Sequence, residues 1–249
     1  MIPYLGNKST LSDFLKQYIP KNPKKWIEPF GGGFNLFFTL DLRDYPDTEF
    51  IYNDINPLNC YLFEHLKTDE FIEIVEKTNI TKELFEKSYL DIIDDSSNKR
   101  SKKTIKVSNT QSKALSWLII LCCGESRDLM SKDFRGNANF EILKYKLSRY
   151  TEYFKRIEIT NLDYKDVLEK HDSEETFFYL DPPYYGFEKY YVNHNFQQES
   201  HSELSEQLKS IKGNWLLSYS KFDHLEDWYS GHKIVSKKHN LNEEFLIIK

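Results

Sequence analysis

Asp181-Pro182-Pro183-Tyr184 sets a carboxylate, two rings of fixed φ and an aromatic face side by side in the chain. Proline fixes its own φ and pushes the residue before it towards extended geometry, so the Asp181 carboxylate and the carbonyls beside it point in set directions. A carboxylate oxygen and a locked carbonyl can take both hydrogens of a planar NH2 group while the ring stacks on the attached heterocycle. An exocyclic amine on a nucleobase has that shape. The same residues would also make a rigid strand-ending turn that binds nothing, so the elements that position them must decide.

Immediately before them, Thr176-Phe177-Phe178-Tyr179-Leu180 reads as a buried strand, which puts the turn at the carboxyl edge of a sheet, where open α/β folds bind ligands. Lys25-Trp26-Ile27-Glu28 predicts another strand, followed by Pro29-Phe30-Gly31-Gly32-Gly33 and a helix from near Phe34 that carries Leu36, Phe37 and Leu40. The chain has only nine glycines, so three in a row at a strand end mean that backbone passes close to a ligand or to another segment. Their spacing matches neither the dinucleotide fingerprint nor a phosphate loop, which leaves a nucleoside without phosphate as the better fit. A strand over Glu49-Phe50-Ile51-Tyr52 then ends in Asn53-Asp54-Ile55-Asn56-Pro57, with Asp54 placed to accept ribose hydroxyls and Asn56 to cap a helix over Leu58 to Leu66. Near the start, Tyr4 and Lys8 flank Gly6 in a loop entering a helix built on Leu11, Phe14, Leu15 and Tyr18.

From about Lys67 to Tyr153 the pattern becomes helical, around Phe71 to Lys77, Lys82 to Leu90, Ser112 to Cys123 and Glu141 to Tyr153, and predicts an insertion in the sheet. Its polar loop, Asp94 to Gln111, holds Lys99, Arg100, Lys102, Lys103 and Lys106. The net charge of -5 conceals a basic third, because Ser96 to Arg156 carries fourteen Lys or Arg against five Asp or Glu. That third is a candidate footprint for phosphates, although a solvated helical surface would have the same composition. Gly124 to Phe140 adds Arg127, Lys132, Arg135, Asn137 and Asn139, groups that hydrogen-bond base edges or phosphates. The sheet resumes with strands over Arg156 to Thr160, Asn214 to Ser218, Lys233 to Ser236 and Glu244 to Ile248, the last two close enough to be antiparallel neighbours. Helices from Asp163-Tyr164 to Lys170, through Leu204, Leu208 and Ile211, and over Phe222 to Tyr229 fall between them. The expected division is 1–66 and 154–249 for an α/β sheet domain and 67–153 for the inserted helical lobe.

At 249 residues, with 29% charged side chains and a mean hydropathy of -0.64, the chain predicts a globular α/β domain with a sizeable core and one inserted unit. The longest apolar stretch, Trp117 to Cys123, is too short to cross a bilayer, and no charged-then-apolar leader precedes Tyr4, so the expectation is a cytoplasmic protein. Cys60, Cys122 and Cys123 have neither a disulfide nor a metal spacing and read as small core residues.

Tyr4-Leu5-Gly6-Asn7-Lys8, Glu28-Pro29-Phe30-Gly31-Gly32-Gly33, Asn53-Asp54-Ile55-Asn56, Asp163-Tyr164 and Asp181-Pro182-Pro183-Tyr184 occur in the order found in one family. A tail with Phe196, His201, Leu204, Leu208 and Gly213 follows at that family's spacing. Over nearly its whole length the chain resembles the Dam-type, alpha-group adenine-specific DNA methyltransferases. The resemblance implies a Rossmann-like S-adenosylmethionine-dependent methyltransferase sheet with an inserted, mostly helical target-recognition lobe. It implies that Tyr4, Lys8, Phe30, Gly31, Gly33, Asp54, Asp163, Tyr164 and Asp181 line an S-adenosylmethionine pocket, Asp54 holding the ribose and Asp163 or Tyr164 the adenine. Asp181 and the Pro182 carbonyl would grip the amine of a base flipped from double-stranded DNA, beside Pro183, with Tyr184 stacked on it. Neither a metal nor a membrane is implied, and a monomer is. Phe134-Arg135-Gly136-Asn137-Ala138-Asn139-Phe140 is only distantly similar to the family's recognition pattern, so no target sequence follows, and Lys249 stands where an Asn is common. Methylation of the cytosine amino group, of adenine in RNA, or silent nucleic-acid binding are the alternatives. The Asp at position 181 favours DNA amines, and it and the glycine triplet are not needed for binding alone.

Overall fold

Side chains along the strands alternate between two apolar faces, and that alternation builds the molecule around a single sheet. The computed structural model describes residues 2–3, 8, 11–93, 108–126, 129, 131–188, 195–239 and 242–249. Among these, β1 (Lys25–Glu28), β2 (Glu49–Asn53), β3 (Ile157–Thr160), β4 (Thr176–Leu180), β5 (Asn214–Ser220), β6 (Lys233–His239) and β7 (Asn242–Ile248) lie in the order β3-β2-β1-β4-β5-β7-β6. The first five are parallel, while β7 runs antiparallel to both β5 and β6. The chain moves outward from β1 through β2 to β3, then returns to β4 on the other side of β1. Ligands of such sheets bind at the carboxyl ends of the two strands where the order reverses. The turns after β1 and β4, Pro29 to Gly33 and Asp181 to Tyr184, leave the sheet there side by side.

Trp26, Phe50, Tyr52, Phe177 and Tyr179 point to one face, and Ile27, Ile51, Phe178, Leu180 and Leu217 to the other. The first face is covered by side chains of α2 (Pro57–Leu66), α3 (Asp69–Lys77), α4 (Lys82–Ile92), α5 (Gln111–Cys123) and α6 (Ala138–Lys155), and the second by α7 (Tyr164–His171), α8 (Gln198–Ser210) and α9 (Leu225–Trp228). The inserted helices therefore share a core with the sheet. Trp117 on α5 donates its Nε1 hydrogen to Asn59 Oδ1 on α2 at 2.9 Å, and Phe154 on α6 meets Phe38 edge-on at 5.3 Å. In α5 the run Trp117 to Cys123 is buried on every side, which explains an apolar stretch without helical alternation. Asn56, Thr68, Thr81, Thr110 and Asp163 each accept a first-turn backbone N–H and so start α2, α3, α4, α5 and α7.

Two predicted helices are much reduced. In place of a helix from near Phe34 there is only a 3-10 turn over Phe37–Thr39, because Gly32 and Phe34 have φ of 48° and 51° and so interrupt any right-handed run. Phe34 through Phe38 are all buried, and an irregular turn lets Phe34, Leu36, Phe37 and Phe38 all find apolar partners where one helix stripe would not. The helix expected over Phe222 to Tyr229 is confined to α9, because Phe222 is drawn out to stack on Tyr185 at 5.0 Å and 15°. Among the described residues no helix is long and apolar enough to cross a membrane.

Candidate active site

Four side chains from three distant segments meet at the carboxyl end of β4. Lys8 Nζ donates to Asp181 Oδ2 at 2.9 Å and lies 3.7 Å from Glu244 Oε1. The Tyr184 hydroxyl donates to the same Glu244 oxygen, and Lys8 Nζ sits 5.0 Å from the Tyr184 ring centroid. Lys8 and Glu244 side chains are 8% and 12% exposed and that of Asp181 22%, so of the three Asp181 is the one a ligand can most readily touch.

Two carboxylates share one ammonium here, and the electrostatics follow. Burial alone would lower the Lys8 pKa, yet Asp181 and Glu244 outweigh it and hold the ammonium above its ordinary value. Burial pushes the Asp181 carboxyl up, and Lys8 pulls back against it. Glu244 is raised by burial in the same way, with Lys8 opposing and Asp181 adding to the rise. Behind them Glu28, 2% exposed, accepts from Trp26 Nε1 at 3.1 Å, and burial raises its carboxyl well above the ordinary range. With Glu28 neutral and Lys8 charged, the site carries a net charge of about -1 when Asp181 and Glu244 are ionised, which suits a cationic ligand or a transition state gaining positive charge.

The turn after β1 forms the neighbouring wall. A Cβ on Gly31 would stand 2.2 Å from Tyr52 Cε2 and 2.8 Å from the Asn53 carbonyl, so the close approach required at that glycine is to β2. Gly32 donates its N–H to Asp54 Oδ2 at 2.7 Å, and Gly33 is buried beside it. Asp54 Oδ2 also accepts from Asn59 Nδ2 at 3.0 Å, whereas Oδ1 accepts from the Asn56 N–H at 2.8 Å and keeps capacity for a further donor. Burial raises the Asp54 carboxyl, and these donors oppose the rise. Phe30, Tyr164 and Phe196 form an aromatic cluster, with Phe30 to Tyr164 centroids 5.0 Å apart and Tyr164 to Phe196 5.5 Å. Asp163, at the start of α7, accepts from Asn195 Nδ2 at 2.6 Å beside that cluster.

Asn53 joins the two halves of this wall and was given no role in the sequence. Its Nδ2 donates to the carbonyls of Pro29 and Leu162 at 2.9 and 3.0 Å, while its Oδ1 accepts from the Leu162 N–H at 2.9 Å. Asn53→Ala would leave those buried groups unmatched, so the midpoint of chemical denaturation is expected to fall by an amount equivalent to about 2 kcal/mol. An unchanged midpoint would show that the brace is dispensable.

The structure brings Lys8, Phe30, Gly31, Gly33, Asp54, Asp163, Tyr164 and Asp181 to Tyr184 to the carboxyl edge of the sheet. Tyr4 lies outside the described residues, as do Lys99, Arg100, Lys102, Lys103 and Arg127. Lys132, Arg135 and Asn137 are exposed, on the segment between the isolated bridge Gly124 to Phe134 and α6. Asn139 instead turns inward and donates to the Cys122 carbonyl at 3.3 Å. All three cysteines are buried, and burial pushes the Cys123 thiol up to about 12. Glu28 and Glu244 fall outside the site residues expected from the sequence; the signal for each is a carboxylate next to the apolar run of a strand. Among the described residues no group of three or more His, Cys, Asp or Glu is placed to hold a metal ion.

The family model of the D12 class N6 adenine-specific DNA methyltransferases matches residues 4–242, nearly the whole chain. No curated protein matches it. The matched span takes in the glycine-rich turn, Asp54 and the Asp181 to Tyr184 turn, the segments that the fold gathers at one edge of its sheet, and the chain belongs to the D12 class N6 adenine-specific DNA methyltransferase family.

Proposed function

We propose that the carboxyl edge of the sheet transfers a methyl group from S-adenosylmethionine directly to the amine of an adenine flipped out of duplex DNA. The observation that carries this reading is the Asp181 carboxylate, mostly buried, tied to Lys8 and adjoining two prolines and an aromatic ring. Asp54 Oδ1 has acceptor capacity for a ribose hydroxyl, and the cluster of Phe30, Tyr164 and Phe196, with Asp163 at its side, offers faces and an acceptor for an adenine ring. The net negative charge around Lys8 suits a sulfonium. These residues fit the cofactor, which supplies an electrophilic methyl when bound.

Asp181 and the Pro182 carbonyl accept the two amine hydrogens. Their pull biases the nitrogen towards tetrahedral geometry and returns its lone pair from the ring. As the amine takes up the methyl it gains positive charge, which the ionised Asp181 stabilises, and the proton the nitrogen then sheds leaves by way of that carboxylate to water. Tyr184 packs against the flipped base and holds it in line. Gly124 to Phe140 and the basic stretch with Lys99, Arg100, Lys102 and Lys103 supply contacts to base edges and phosphates, so affinity for DNA falls as salt rises. The chain works as a monomer.

The test is to incubate the protein with methyl-labelled S-adenosylmethionine and unmethylated duplex DNA of mixed sequence, then digest to nucleosides. Label is expected in N6-methyl-2′-deoxyadenosine. Label in a methyl-2′-deoxycytidine, or transfer to RNA alone, would discard this reading.

A further inference from the structure

We propose that Glu244 is a positioning residue of the methyl-transfer site, receiving the Tyr184 hydroxyl and so fixing the plane in which the Tyr184 ring meets the target base. The inference rests on the reading that Tyr184 packs against that base. It concerns a residue just beyond the span 4–242 that the family model matches.

A tyrosine side chain has two torsions: holding the hydroxyl oxygen sets the first, and the second, whose axis runs through that oxygen, is set because the phenolic O–H lies in the ring plane and must point at its acceptor. The backbone of Tyr184 follows two prolines. Its hydroxyl, at the far end, donates to Glu244 Oε1. Glu244 makes a firm anchor because it lies within the sheet and not on a loop: on β7 it pairs with Ser220 of β5 on one side and Lys237 of β6 on the other. Burying a carboxylate there is costly without partners. Lys8 is 3.7 Å away, outside hydrogen-bond range, so it compensates charge without orienting the carboxylate. The Tyr184 hydroxyl is held directly, and the Ser218 side chain is a second donor to the same carboxylate. Burial raises the Tyr184 pKa well above its ordinary value, so the hydroxyl keeps its proton and remains the donor.

An acceptor role separates from a charge role by the choice of substitution. Glu244→Gln keeps an acceptor oxygen at the same reach, Glu244→Leu removes it, and Tyr184→Phe removes the donor without touching the strand. With the full chain, labelled S-adenosylmethionine and unmethylated mixed-sequence duplex DNA, Glu244→Gln is expected to lose about threefold in kcat. Glu244→Leu and Tyr184→Phe should each lose about 30-fold, with S-adenosylmethionine affinity by calorimetry changed little. The double variant should be no slower than the slower single one, because both break the same contact. Wild-type kcat in Tyr184→Phe, equal losses in Glu244→Gln and Glu244→Leu, or a double loss equal to the product of the singles would overturn the proposal. Tyr184→Phe carries the test if Glu244→Leu fails to fold. No label in adenine from the wild-type protein would instead overturn the underlying reading of the reaction, and the two failures are distinct.

Discussion

Asp181→Ala is expected to lower methyl transfer by about 10³-fold or more while leaving the affinity for S-adenosylmethionine within a few-fold. The size follows from what the carboxylate does. In the proposed mechanism it accepts a hydrogen of the amine and places a negative charge where the nitrogen becomes positive, and both effects are larger in the transition state than in the bound substrate. The tolerance of the fold follows from the charges around it. Removing Asp181 leaves the Lys8 ammonium within 3.7 Å of Glu244, so no unpaired cation remains in the interior, and removes one of two carboxylates that repel each other there. The contacts proposed for the cofactor's ribose and adenine, on Asp54 and around Phe30 and Tyr164, lie on other segments and are untouched. Single-turnover transfer to unmethylated duplex DNA, beside calorimetric titration with the cofactor, separates the two effects. Turnover retained by Asp181→Ala would remove the carboxylate from the reaction. Loss of cofactor binding in proportion to loss of turnover would recast Asp181 as a cofactor ligand.

The strands of the sheet were legible because their residues alternate or are apolar throughout: Lys25 to Glu28 and Thr176 to Leu180 hold the strands expected there residue for residue. A Pro, Asp or Asn at a strand end marked each turn that now lies at the carboxyl edge. The failure at Phe34 came from counting Leu36, Phe37 and Leu40 as a helical stripe. Spacing carries no information about φ, and Phe34 adopts a conformation that sequence assigns by default to glycine or asparagine. Asp54 was legible as an acid at a strand end, but its hold on the N–H of Gly32, across two chain segments, was not. Glu244 shows the same limit more sharply. In sequence it stands 63 positions after Asp181, in a strand that reads as the antiparallel neighbour of the one before it. Only the insertion of β7 between β5 and β6 brings it opposite Tyr184. Local pattern reveals which residues end strands; which strand ends become neighbours depends on strand order.

Lys8→Met is expected to move the acidic limb of the pH–rate profile upward by roughly one to two pH units. The sign comes from the two opposing influences on Asp181. Burial favours its protonated form, while the Lys8 ammonium favours the carboxylate. The proposed transfer uses the carboxylate, so the wild-type rate should fall on acidification through a pKa above the ordinary aspartate value. Removing the ammonium leaves burial unopposed and adds the repulsion of Glu244, which Lys8 no longer offsets; both changes raise the Asp181 pKa further. Within the rising limb each pH unit is worth about tenfold, so at a fixed pH there the variant should be about 10- to 100-fold slower and should recover as the pH is raised. Lys8 itself keeps its proton to above the ordinary lysine range, so its own titration puts no descending limb near neutrality in the wild type. Measuring kcat across pH with saturating cofactor decides the matter. A limb that stays in place beneath a lowered plateau would mean that Lys8 serves the bound cofactor and leaves the ionisation of Asp181 to other groups. A limb that moves, with the plateau regained at high pH, would identify the ammonium as the group that keeps a buried carboxylate charged where the methyl acceptor needs it.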